Sequence, residues 1–74
     1  MTLERIFAEV FAIPEDRVSD SLALRDIASW DSMSHMMLVA RLEESFAVEF
    51  TGDEIADFST VQDIRDALDR RKTP

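Results

Sequence analysis

The chain has 74 residues, 16 of them Asp or Glu against 8 Lys or Arg, for a formal net charge of -8 and a pI near 4.4. That length makes one domain, 1–74, and its negative field repels phosphate backbones and anionic membranes while drawing in partners with basic patches. The sequence has no cysteine, one glycine and two prolines, which excludes disulfides and thiolate metal sites and leaves few turn residues for a β-rich fold.

Thr2 is placed to cap a first helix, with Glu4 suited to its positive end. Leu3, Ile6, Phe7, Val10 and Phe11 follow i, i+3, i+4, i+7, i+8 spacing and predict one buried stripe. Pro14 is expected to end that helix, because the residue before a proline is pushed out of helical geometry. A long connection, rich in Asp and Ser, runs from Pro14 to Trp30. Val18, Leu22, Leu24 and Ile27 predict that it packs across the bundle, with a turn or two of helix within 22–27. Its job would be to deliver Asp31 and Ser32 to one end of the bundle; connections this long are often functional.

A second helix is predicted over 32–46, with Asp31 as its cap. Leu38, Val39, Leu42 and Phe46 make its core stripe, with His35 at the N-terminal end of that stripe. Met33, Met36, Met37 and Ala40 form a second apolar series on the same helix. A small bundle cannot bury every side of a helix, and methionine suits adaptable binding surfaces, so this series predicts a docking face. Glu43 and Glu44 follow, unfavourable near a helix C-terminus but useful to a basic partner. After a short extended link at 48–50, Thr51 and Glu54 have capping-box spacing for a brief third helix, 52–56. Ser59 and Gln62 repeat that spacing before a last helix. Val61, Ile64, Ala67 and Leu68 are its predicted buried stripe, Arg70, Arg71 and Lys72 suit its C-terminal end, and Thr73 and Pro74 are expected to fray. The fold class is therefore all-α, a four-helix bundle of three main helices and one short one, with a long loop between the first two.

At the joint of loop and second helix, Ser32 would hold its hydroxyl beside unpaired backbone N–H groups, where an ester phosphate would be stabilised. Read alone, this is only suggestive, since most Asp-Ser pairs at helix starts are simple caps. The run Asp31-Ser32-Met33, followed by Leu38-Val39, Leu42-Glu43-Glu44 and Phe46, resembles the acyl carrier protein family, whose motif is Asp-Ser-Leu leading into such a helix. The resemblance extends through Phe50, Asp53-Glu54-Ile55 and Ser59-Thr60-Val61-Gln62-Asp63-Ile64, nearly the whole chain.

That resemblance implies a bundle carrying 4'-phosphopantetheine on Ser32, installed from coenzyme A by a phosphopantetheinyl transferase. The arm's thiol would carry acyl or aminoacyl groups as thioesters between enzymes. The protein would be a carrier with no catalytic residues of its own. Asp31, Glu43 and Glu44 match positions that family partners recognise, and Met33 and Met36 match partner-facing apolar positions; Met37 and Ala40 extend that face. The partners implied are an acyl ligase or acyltransferase and ketosynthase or other condensing enzymes.

Several residues depart from the family pattern. Met33 replaces leucine, a swap of similar volume. Ser29-Trp30 stands where many members have a glycine, and Ser34 and Met37 stand where carriers of fatty acid synthesis have acids. These departures favour a specialised fatty acid, polyketide or peptide pathway. Carriers of D-alanine, which this chain also resembles, can have Asp-Ser-Met.

Two other readings share these residues. A hydrolase would use Asp31, Ser32 and His35, but a triad also needs an oriented histidine, an oxyanion hole and a walled pocket, for which the chain has little material. An unmodified helical adaptor would use the methionine face alone. The lone His35 argues against structural zinc, and the calcium-loop pattern is absent. No apolar run is long enough to span a bilayer, and residues 1–5 lack a signal-peptide start, so a cytoplasmic monomer is expected.

Overall fold

A computed structural model describes residues 2–72, so the expectation for Thr73 and Pro74 lies outside the described residues. Four helices appear in order: α1 Leu3–Phe11, α2 Ser32–Phe46, α3 Gly52–Asp57 and α4 Val61–Lys72. There is no strand among the described residues, and one isolated antiparallel bridge joins Ala23 to Thr60. The all-α expectation, with three main helices and a short one, is met.

The Thr2 hydroxyl starts α1 by accepting the Arg5 N–H at 3.2 Å. Leu3, Ile6, Phe7 and Phe11 are buried and Val10 packs against them. Pro14 is not the residue that stops this helix. Ala12 has φ 55, ψ 47, so the backbone has already turned left-handed two residues earlier. Helix α2 ends the same way at Ala47, φ 54, ψ 48. With one glycine in the chain, alanine takes the C-cap position that glycine usually fills.

The long connection holds two single 3-10 turns, Glu15–Arg17 and Leu24–Asp26. The first was not expected, and the second is shorter than the predicted segment. Val18, Leu24 and Ile27 are buried, with Leu22 packed beside them. Backbone bonds zip the connection to the start of α4, Leu24 N–H to Ser59 O at 2.8 Å and Gln62 N–H to Asp20 O at 2.9 Å. The Ser29 hydroxyl then donates to Phe11 O at 2.9 Å. Anchored at both ends, the connection fixes where residues 30–32 emerge.

One core unites Leu38, Val39 and Leu42 of α2 with Val61, Ile64, Ala67 and Leu68 of α4 and the α1 stripe. Phe46 is only partly buried, at its edge. The cap of α4 differs from the sequence reading by one residue: Thr60, not Ser59, receives the Asp63 N–H, and the Asp63 carboxylate accepts the N–H groups of both Ser59 and Thr60. Aspartate reaches two backbone donors there, which Gln62 does not do. Polar ties fasten the outside, Arg65 to Glu4 and Asp20 at 2.5 and 2.8 Å, and Arg41 to Glu9 at 2.6 Å.

Candidate functional site

The start of α2 is fixed by a reciprocal capping box. Asp31 Oδ1 accepts the Ser34 N–H at 2.8 Å, and Ser34 Oγ accepts the Asp31 N–H at 2.8 Å. The Ser34 backbone donor, then its hydroxyl, holds the Asp31 carboxyl below the usual carboxylate range. Sequence reading had found the Asp31 cap but not Ser34 as its counterpart, though the Asp-x-x-Ser spacing carries that signal.

Ser32 is the first residue of α2. It is exposed, and its hydroxyl makes no hydrogen bond among the described residues. Backbone N–H groups at this end of α2 have no intrahelical partner, and the helix dipole adds a positive partial charge.

Beside Ser32 lies an open groove of about 400 Å³. Trp30, Ser32, His35 and Met36 form one side, and Gly52, Ile55, Ala56 and Phe58 form the other. The groove therefore runs between α2 and α3, with carbon on most of its surface. Phe58 is buried and its ring meets Phe50 edge to face at 5.2 Å, which makes a firm floor.

His35 bridges the two walls. The Trp30 Nε1–H donates to His35 Nδ1 at 3.2 Å, and His35 Nε2 lies 2.9 Å from Ile55 O. The Trp30 and His35 rings stand nearly perpendicular, centroids 6.0 Å apart. Neither Trp30 nor the Ile55 carbonyl was assigned a part from sequence. The signal was a lone tryptophan next to the motif, but its pairing depends on how the loop arrives.

The methionine series is exposed: Met33 73%, Met36 52% and Met37 53%. Ala40 and Glu44 are exposed on the same outward side of α2. Glu43 is placed differently. It is half-buried, and its Oε2 accepts the Phe50 N–H at 2.9 Å, which anchors the link between α2 and α3. Met36 sits at the groove rim, between the outward face and Ser32.

Helix α3 buries none of its residues. The Thr51–Glu54 capping box is formed as expected, with bonds of 2.9 and 3.1 Å. Glu54 also pairs with both guanidinium arms of Arg71 and, at 3.4 Å, with Arg70. The Arg71 guanidinium, helped by the Thr51 backbone N–H, pulls the Glu54 carboxyl from 4.5 to about 2. Arg71 further donates to Glu49 O at 2.9 Å and stacks over the Phe50 ring at 4.9 Å. The basic end of α4 thus clamps α3, beyond any service to its own dipole.

No helix among the described residues is long and apolar enough to cross a membrane. A family model described as a phosphopantetheine attachment site matches residues 2–68, nearly the whole of this four-helix chain. The chain belongs to that family, whose domain is the site of covalent 4'-phosphopantetheine attachment.

Proposed function

We propose that Ser32 is the attachment residue and that the protein is a carrier passing acyl or aminoacyl groups between enzymes of a specialised fatty acid, polyketide or peptide pathway. The observation that carries this reading is the exposed Ser32 hydroxyl, without a hydrogen bond among the described residues, on the first turn of a capped helix at the rim of an apolar groove. A phosphodiester formed there fits the chain. The dipole of α2 favours the anion, at an end where the Asp31 cap already takes the Ser34 N–H, and the groove offers carbon surface to an arm. Modification by a transferase would join the Ser32 oxygen to the phosphorus of coenzyme A's pantetheine phosphate and release the adenosine bisphosphate portion. When bound, the group supplies a thiol for thioester formation, and the chain contributes no competing cysteine.

The chain's own residues then position and present. Asp31 and Ser34 hold the first turn in place, and Ser29 ties the approaching loop to α1. Met33, Met36, Met37 and Ala40 offer an apolar contact, with Asp31 and Glu44 as acids for a basic partner. Such partners would be the transferase, an acyl ligase or acyltransferase, and condensing enzymes, meeting a monomeric carrier in the cytoplasm. Glu43, bonded to Phe50, serves the fold first and a partner second. The departures from fatty-acid carriers, Ser34 and Met37 in place of acids, support a specialised pathway. A D-alanyl or other aminoacyl carrier is the second reading, favoured by the Asp-Ser-Met run.

Incubation with coenzyme A and a broad-range phosphopantetheinyl transferase, followed by intact mass measurement, tests the proposal. A gain of one phosphopantetheine is expected, and none in Ser32→Ala, whose melting temperature should match the parent because the side chain is exposed. An unmodified parent would leave the protein as a helical adaptor.

A further inference from the structure

We infer that His35 is a positioning residue for the phosphodiester on Ser32, and that it takes up this role by releasing Trp30. The inference rests on Ser32 being the attachment residue. A polar chain runs from Trp30 through His35 to Ile55 O along the groove. An indole N–H can only donate, so His35 Nδ1 must accept from Trp30 at 3.2 Å. The ring proton is then on Nε2, which donates to Ile55 O at 2.9 Å. In the unmodified protein both ring nitrogens are spent in these two hydrogen bonds.

Ser32 and His35 are three residues apart on α2, which makes them neighbours on the helix surface, and both line the same groove. A phosphodiester on Ser32 would put a full negative charge at that wall. Among the described residues the groove lining contains no Lys or Arg, and His35 is the one there able to become a cation. Arg25 lies in a separate hollow with Ala23, Leu24 and Thr60, which Trp30 also lines.

Ionisable groups on the segments beside His35 are Arg25, Asp26 and Asp31 ahead of α2 and Asp53, Glu54 and Asp57 on α3. The Asp31 carboxylate is engaged by Ser34 and Glu54 by Arg71. All of these are present before and after modification, so the phosphodiester is the charge that changes. Beside it, His35 Nδ1 takes a proton from solvent and donates to a phosphodiester oxygen. A protonated Nδ1 has no lone pair for Trp30, so the indole N–H loses its acceptor. The Nε2–H bond to Ile55 is unaffected, and α3 stays tied. Modification at Ser32 is thereby read out as release of Trp30, one wall of the groove.

The protein's single tryptophan and single histidine make this directly measurable. With 15N-labelled protein at one pH near neutrality, the His35 ring nitrogens and the Trp30 indole N–H are recorded before and after treatment with coenzyme A and transferase. Intact mass is measured on the same samples. Expected is a His35 Nδ1 that changes from unprotonated acceptor to protonated donor, with a shifted Trp30 indole resonance and altered tryptophan fluorescence. His35→Gln can still donate to Ile55 but cannot take a proton; it should be modified by mass yet show little Trp30 response. A mass gain at Ser32 with Nδ1 still unprotonated and bonded to Trp30 would overturn the inference alone. Absence of any mass gain would overturn the attachment reading and this inference with it.

Discussion

Helices α3 and α4 are attached to the same bundle by different forces. Helix α4 buries Val61, Ile64, Ala67 and Leu68 in the common core. Helix α3 fully buries none of its residues; only Ile55 packs, half-buried, against the core, and polar ties do the rest, the Thr51–Glu54 box, the Glu54–Arg71 pair and the His35 bond to Ile55 O. Apolar burial is insensitive to moderate salt and to pH, whereas ion pairs near the surface are screened and titrate. The element built from the weaker, tunable forces is the one that walls the groove beside Ser32. The difference suggests a rigid scaffold carrying one adjustable wall.

The sharpest way to break this comparison is a matched pair of truncations. Ile64→Ala removes a fully buried side chain and should cost about 2–5 kcal/mol in a urea melt. Ile55→Ala, on the half-buried α3 position, should cost well under half of that, and equal losses would show that α3 is core after all.

Next in size is an effect on partners, on the groove's other wall. Met36→Glu changes an exposed rim residue, so stability should move by no more than about 0.5 kcal/mol. Its affinity for the transferase, by contrast, should fall by about tenfold, near 1.4 kcal/mol. A large drop in melting temperature would assign Met36 to the core and remove it from the proposed docking face.

The subtlest test uses pH. Glu54 has a folded-state value of about 2 against an ordinary 4.5. A depressed carboxyl adds stability above its unfolded value and loses it as the pH falls through the folded one. Glu54→Gln should therefore weaken amide protection in α3 near neutrality. The gap from the parent should close as the pH falls from about 4.5 toward about 2, and it should narrow with added salt. A gap that stayed constant across that range would mean that the Arg71 clamp contributes nothing to holding α3.

Much of the scaffold was readable from local pattern. The bounds of α2, its Asp31 cap, the α1 and α4 stripes and the Thr51–Glu54 box all depend on residues within about four positions of one another, where helical geometry alone decides who meets whom. The errors were local as well. Ala12 ended α1 before Pro14, and Thr60 with Asp63 displaced the expected Ser59 and Gln62, because several residues offered nearly equivalent caps.

The site divides along the same line. Ser32 at the start of a helix, with methionines outward and leucines inward along α2, follows from periodicity and capping, and the sequence by itself determined it. That Glu43 would turn to Phe50, that Arg71 would clamp Glu54, and that His35 would link Trp30 to the Ile55 carbonyl could be decided only in three dimensions. Glu54 and Arg71 are 17 residues apart, and His35 and Ile55 are 20 apart. Such partners are chosen by how the long connection and the short helix dock on the core, a packing outcome that no repeating pattern of side chains encodes.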